Sequence, residues 1–491
     1  MTEFGVGTYT RNIVRALGRL DRESKYFLIG PPKKVAEIGP LPPNFHTVPL
    51  QGNDATIKSY FDYRAILKRL NCDLVHIPHL FWLPRNLPCP YVMTVHDVLD
   101  HMYRARDQSG LKRSLHFYLT HRALKGAARI FAVSNFTKSE VEKLFAISAD
   151  RIEVVYNAID ERFLRGHATE ADRQLLAERY LVNHPFLLYT GRISPHKNVV
   201  RIIEAFSALK AELEKEELFP GLKLIIIGDE LSKHPDLRRT VIRSRMQNDV
   251  RFMGFVPIEV LRIFYDAAKI FVFPSLYEGF GLPPLEAMAH GTPVVTSNTS
   301  SLPEVVGNAA VLVNPENVFE IMRALHRVLV DQSLRDKLKA RGYEQAKRFS
   351  WDAAAQQILR VYHEVSDRPP ARIWRTDQAS SPGRRTPSLS QAFLSNGCPG
   401  ELNSRRCSLA AMRARSASVE AAVWRFFSLV IFSLRVRRRR ISGRRLGADI
   451  EPPDSVGQKP VYINALNFGG IRAREADLRG NLGDAVLQGF Q

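Results

Sequence analysis

Residues 270–297 read IFVFPSLYEGFGLPPLEAMAHGTPVVTS, and the order of residue types in them points to the fold. An apolar, β-branched and aromatic run (270–275) ends in Pro-Ser. A loop with Gly279 and Gly281 follows, then Pro283 and Pro284, which suit a helix's first turn because their missing N–H groups would be unpaired there. "LEAMAH" continues the helix, Gly291 suits its C-terminal cap, and "PVVTS" (293–297) begins another apolar run. Strand, loop, helix, strand is the unit of a parallel sheet. Its ligand-binding loops lie at the carboxyl ends of the strands.

The same grammar extends outward. "IEVVYNAI" (152–159), "FLLYTGR" (186–192), "KLIIIGD" (223–229), "VRFMGFV" (250–256) and "AVLVN" (310–314) alternate with helical patterns such as "VVRIIEAFSALKAELEK" (199–215). Near-continuous apolar strands with helices between them predict a doubly wound α/β domain over 169–350. The first part repeats the pattern less clearly: helix 9–20, strand 25–30, helix 59–70, strands 74–78 and 91–97, a helix over 111–126, strand 129–134 and helix 137–146. That predicts a second Rossmann-like domain, 1–168. A helix at 351–366 closes the folded part within 351–368, and 369–491 reads as a low-order basic tail.

The chain of 491 residues is long enough for two or three such domains, and its 45% hydrophobic and 24% charged content is that of a globular protein. The net charge of +20 is uneven, because residues 371–491 hold 20 Lys+Arg against 9 Asp+Glu. The body is only modestly basic, which suits an anionic substrate or membrane surface as well as nucleic acid. Within the tail, "AAVWRFFSLVIFSL" (421–434) is too short to span about 30 Å of hydrocarbon; with "RVRRRR" behind it, it reads either as an interfacial segment or as poorly ordered chain. Cys72, Cys89, Cys398 and Cys407 show no metal-ligand spacing, and no secretory signal follows Met1, so a reducing, cytoplasmic setting is expected.

Glu278 and Glu286 flank the glycine-proline turn. Eight residues of helix would set them about 12 Å apart at 1.5 Å per residue, beyond the roughly 5–9.5 Å of a glycoside hydrolase pair. Two acceptors beside an anion-attracting helix start suit hydroxyl recognition better. In "YTGRISPHKN" (189–198), Arg192 and Lys197 follow a strand end, as two fixed cations for a diphosphate would. "VMTVHD" (92–97) ends a strand with His96, either a structural histidine or one facing the cleft. "HMYRARDQSGLKR" (101–113) is either a solvated basic face or a contact for an anionic acceptor or membrane. "GVGTYTRN" (5–12) opens a helix with Gly5 and Gly7, yet no strand precedes it: either the start lies upstream or a central strand is missing.

Taken together, "EGFGLPPLE" (Glu, seven residues, Glu), "GRISPHKN", "VSNFTKSEV", "VVYNAID", "FMGFV" and "SSLPEV" resemble the retaining family 4 (group 1) glycosyltransferases of GT-B architecture over about residues 5–365. "TVHDV" and "FSWDAAA" look most like bacterial O-antigen mannosyltransferases. The resemblance implies two Rossmann-like domains facing a cleft, and a catalytic set of His96, Glu278, Arg192 and Lys197. Glu278 would meet donor-sugar hydroxyls, Glu286 the ribose, and Arg192 and Lys197 the diphosphate. Gly281, Leu282 and Phe280 would form the turn around the phosphates, Phe255 and Val256 would line the base, and Gly5 and Gly7 would shape the loop near diphosphate and acceptor. It further implies front-face transfer of a hexose from a nucleotide sugar, with GDP-mannose favoured, to a glycan or lipid-linked glycan in cell-surface polysaccharide synthesis. No metal or other cofactor is expected, and the work would be done at the inner face of the cytoplasmic membrane. The rivals are an epimerase-type GT-B relative and a basic membrane- or nucleic-acid-binding protein. Only the last would lose its function with residues 371–491; a transferase is expected to survive that deletion.

Overall fold

A computed structural model describes residues 5–50, 57–80, 87–102, 110–164, 166–229 and 231–367, with the backbone of two later strands, 431–435 and 461–463. Twelve strands run through the body: β1 (Lys25–Gly30), β2 (Phe45–Pro49), β3 (Leu74–Ile77), β4 (Tyr91–Val95), β5 (Arg129–Ala132), β6 (Ile152–Val154), β7 (Phe186–Gly191), β8 (Lys223–Gly228), β9 (Val250–Gly254), β10 (Ile270–Phe273), β11 (Val294–Ser297) and β12 (Ala310–Val313). The later pair are β13 (Ile431–Arg435) and β14 (Val461–Ile463).

The second sheet has the order β12-β11-β10-β7-β8-β9, with all its pairs parallel. The chain therefore leaves β7 toward one edge and resumes at β10 on the other side, which is the doubly wound plan. β8 (KLIIIG) is apolar throughout its middle because helices cover both faces. The helix Val199–Lys215 buries Val199, Ile202, Ile203, Phe206, Leu209 and Leu213, a stripe at helical spacing.

The first sheet follows β2-β1-β13-β14-β3-β4-β5-β6. The helix Trp351–Ser366 packs on this first domain, its Trp351, Ile358 and Tyr362 clustering with Tyr9, Ile13 and Leu17 of the helix Val6–Leu20. Trp351 Nε1 donates to the Ile159 carbonyl at 2.9 Å, fastening the end of the chain's body to the interdomain linker. A buried polar chain runs beneath: Tyr9 Oη to Thr94 Oγ1 (3.0 Å), Thr94 to His76 Nε2 (2.7 Å), and His76 Nδ1 to Tyr362 Oη (2.5 Å).

One expectation changes here. β6 stops at Val154 rather than 159, because the chain turns there toward Asp160, which Arg11 (2.6 Å) and Arg162 (2.9 Å) hold. The place in the sheet between β1 and β3 holds β13 and β14. β13 runs antiparallel to β1 from Lys25↔Arg435 to Ile29↔Ile431, and β14 pairs parallel with β3. Two short strands of this sheet thus come from within 369–491.

Removing residues 371–491 strips the facing edges of β1 and β3, whose Leu28, Ile29, Val75 and Ile77 are fully buried. Each buried backbone group left unpaired costs about 1–3 kcal/mol, and several together rival a domain's whole stability of about 5–15 kcal/mol. The truncated chain is expected to lose more than about 10 °C of thermal midpoint or to fail to fold. Transfer then falls with it, against the expectation from sequence. A truncated chain that melts like the full one would show that these strands carry no stability.

Candidate functional site

The doubly wound order makes β7 and β10 neighbours, so the loops that leave their carboxyl ends face one another. Several bonds lock them. Leu276 N–H donates to the His196 carbonyl at 2.7 Å. Asn198, buried and with φ 63°, sends Nδ2 to the carbonyls of Pro274 (2.9 Å) and Pro315 (2.7 Å). Ile193 N–H donates to Asp229 Oδ2 at 2.8 Å. A Cβ at Gly228 would lie 2.1 Å from the Gly191 carbonyl oxygen, so the β7–β8 approach requires glycine.

At this mouth Lys197 Nζ bridges both carboxylate oxygens of Glu278, at 2.6 and 2.7 Å. The pair is largely out of water, with Glu278 only 9% exposed, and the ammonium also lies 5.5 Å from the Phe273 ring centre. Glu278 is fixed through its backbone: its N–H donates to Ser300 Oγ (3.1 Å) and its carbonyl accepts from Ser301 Oγ (3.0 Å). Gly281, with φ 104°, sits immediately before the helix Leu282–Ala289. That helix carries Glu286, whose Oε2 accepts from Tyr265 Oη at 2.8 Å, and Tyr265 is tied to Thr190 Oγ1 of β7 at 2.7 Å. Burial pushes the Glu286 carboxyl up to about 7; the Tyr265 hydrogen bond opposes the rise and the Asp160 charge adds to it.

Arg192 stands exposed at the start of the β7 loop. Phe255 is 56% exposed beside buried Val256, so this pair does present an apolar surface. Phe280 is buried, its ring beside Tyr156 (6.2 Å) and Phe349 (5.6 Å), and its backbone belongs to the turn before Gly281.

The first domain brings His96 to this loop. A Cβ on Gly279 would lie 1.8 Å from the His96 carbonyl oxygen, so the two chains touch there backbone to backbone. The His96 ring stands edge-on to Tyr9 at 4.8 Å, and Nε2 lies 2.8 Å from the Pro78 carbonyl. A carbonyl only accepts, so Nε2 carries the proton and Nδ1 the lone pair. Burial lowers the ring to about 4, against the raising effect of the Pro78 bond, so it is neutral at pH 7. Gly5 (φ 62°) stands at the start of the helix Val6–Leu20, with Gly7 in its first turn, and Tyr9 of the same helix meets the His96 ring. The basic stretch 101–113 lies largely outside the described residues.

The sequence reading assigned no role to Ser134, Asn135, Thr137 or Glu304, although the motifs "VSNFTKSEV" and "SSLPEV" contain them. Ser134 Oγ (2.6 Å) and Thr137 Oγ1 (3.0 Å) donate to the Gly279 carbonyl. Glu304, from the second domain, accepts from Asn135 N–H (3.1 Å), Asn135 Nδ2 (3.0 Å) and Phe136 N–H (3.1 Å). The signal available was a serine at an N-cap position ahead of a helix start. Among the described residues, one group has metal-ligand composition: His167, Asp266 and His290. There the two imidazole Nδ1 atoms lie 3.0 and 3.1 Å from Asp266 Oδ1, the spacing of two hydrogen bonds that tie the linker to its helices.

A family model described as "Glycosyl transferases group 1" matches residues 176–345, and one described as "Glycosyltransferase Family 4" matches residues 5–163. O-antigen chain mannosyltransferase B of Escherichia coli is 36% identical over 293 residues, 59% of this chain and 74% of that protein. Among solved structures, sucrose-phosphate synthase from Thermosynechococcus elongatus superposes with TM-score 0.59 at 21% identity, covering 74% of this chain and 94% of its own. Anabaena Alr3699/HepE, solved with UDP and glucose, superposes with TM-score 0.57 at 18% identity, covering 74% of this chain and 97% of its own. Both share the two-domain GT-B fold.

Proposed function

This chain belongs to the family 4 (group 1) glycosyltransferases, and from that premise we propose that it is a retaining hexosyltransferase. It moves mannose from GDP-mannose to a glycan or lipid-linked glycan of the cell surface. The observation that carries the reading is the Lys197–Glu278 pair at the mouth between β7 and β10. The mannosyltransferase name of the Escherichia coli relative supports the sugar, and the UDP held by the Anabaena neighbour supports a nucleotide donor.

In this mechanism the donor diphosphate takes Lys197 from Glu278, joined by Arg192 and the N–H groups around Gly281 and Leu282. Glu278 is then free to accept hydrogen bonds from the sugar hydroxyls, and Glu286 accepts from the ribose. Phe255 and Val256 give the base its apolar wall. As the C1–phosphate bond breaks, negative charge grows on the leaving oxygen, and the fixed cations favour that state over the ground state. The acceptor oxygen bonds to C1 on the same face, and its proton passes to the departing phosphate. Neutral His96 holds the sugar from the first domain without competing for the phosphate charge. No metal ion enters the proposed step. No described helix is long and apolar enough to cross a membrane, and the proposal places the enzyme against the anionic inner face as a peripheral protein.

The test is a panel of GDP-, UDP- and dTDP-sugars read by thermal shift and donor hydrolysis, with NMR of the product anomer. GDP-mannose is expected to raise the midpoint most and to be consumed. A panel with neither shift nor turnover would overturn the reading.

Donor binding should also depend on pH through Glu286. With its carboxyl raised to about 7, the group is mostly neutral at pH 6 and mostly ionised at pH 8, and the ionised form is the better acceptor for ribose hydroxyls. GDP affinity is expected to rise roughly fivefold over that range, and Glu286→Gln should flatten the profile. The stability contribution has the opposite sign: it is present at low pH and lost as pH rises through 7, since the folded state holds this proton more tightly than the unfolded one.

A further inference from the structure

We propose that Glu304 is a positioning residue that latches the two domains shut by finishing the cap of the helix Asn135–Phe145 across the cleft. The first N–H groups of a helix have no partner within it. Here Ser134 serves Thr137 N–H at 3.0 Å from within the first domain. The Asn135 and Phe136 N–H groups, at 3.1 Å each, are served by the Glu304 carboxylate of the second domain. The Asn135 side chain donates at 3.0 Å to Glu304 Oε2, the oxygen that also meets its own N–H, and at 2.7 Å to Tyr156 Oη.

A carboxylate at a helix N-terminus meets both unpaired donors and the positive end of the dipole. Opening the cleft leaves the helix half-capped and Glu304 in water, so the pair favours the closed state. What it closes is the site itself. The capped helix start holds the Gly279 carbonyl through Ser134 and Thr137, and Gly279 is the residue after Glu278. Glu304 thus acts through this helix on the sugar end of the mouth, and it keeps water from the donor once bound.

The latch rests on the transferase reading for its catalytic consequence, and the test separates the two. In ligand-free chain, Glu304→Ala is expected to move the domains apart, read as a longer interdomain distance by fluorescence transfer and a larger radius of gyration by X-ray scattering. With donor and acceptor, the ratio of donor hydrolysis to transfer should rise about fivefold, and Glu304→Asp should recover part of it, while the thermal midpoint stays near wild type because Glu304 belongs to no core. An unchanged interdomain distance together with an unchanged hydrolysis-to-transfer ratio overturns the latch. If no nucleotide sugar is turned over by wild type, the transferase reading fails, and the ligand-free distance alone still decides the latch.

Discussion

Lys197→Ala is expected to cut sugar transfer at least about tenfold while the chain stays folded. The Nζ atom lies within 2.7 Å of both Glu278 oxygens, so its loss leaves an uncompensated carboxylate where a diphosphate must enter. Breaking a fully buried pair costs about 3–5 kcal/mol. Here the pair stands at a cleft mouth and not in a closed core, so the cost falls within the stability of an ordinary domain. Glu278→Ala should lose as much transfer by a different route, because the sugar hydroxyls lose their acceptor. Glu278→Gln separates the two effects: transfer falls, yet free GDP binds more tightly than to wild type, since Lys197 no longer has a carboxylate to leave. Turnover like wild type from Lys197→Ala or Glu278→Ala, compared as kcat/KM, would sink the assignment.

The elements with the strongest periodicity were legible in the sequence at their true bounds. Lys25–Gly30, Val199–Lys215 and Trp351–Ser366 lie where the apolar spacing puts them. β2 was not legible, because FHTVP is short, ends in proline and buries only Val48. Lys197 and Glu278 could be singled out in the sequence as residue types at strand ends. Their pairing could not: they are 81 residues apart, and they meet only because the strand order makes β7 and β10 neighbours. Phe280 shows how little of a side chain's surroundings is local. An aromatic residue between two glycines sits in the turn by sequence, and only the distant Tyr156 and Phe349 show where its buried ring packs. The contacts across the cleft were least visible of all, since Ser134 and Gly279, or Asn135 and Glu304, carry no mutual spacing that local pattern could detect.

Those contacts give the other large effect, at Gly279. Its replacement by alanine is expected to lower transfer about a hundredfold, because a displacement near 1 Å in a reacting geometry costs that much. The added Cβ would meet the His96 carbonyl oxygen at 1.8 Å and the Asp97 Cβ at 3.1 Å. The first of these is main chain at the end of β4, which no rotamer change moves aside, so the domains themselves must separate. The fault is not backbone strain, since Gly279 is absent from the positive-φ glycines. It is also confined to the closed form, so the open chain has no clash and its thermal midpoint should match wild type. The proposed contacts to GDP itself, from Arg192, Lys197, Glu286, Phe255 and Val256, lie within the second domain and survive, so kcat should fall while the affinity for GDP holds. Gly281→Ala is the contrasting variant. Its φ of 104° and the Leu302 Cδ2 atom 2.6 Å from the new Cβ put the strain inside one domain, so that stability and GDP binding should fall together. If Gly279→Ala keeps more than about a tenth of wild-type transfer, then the approach of His96 to this loop is not the geometry in which the sugar moves.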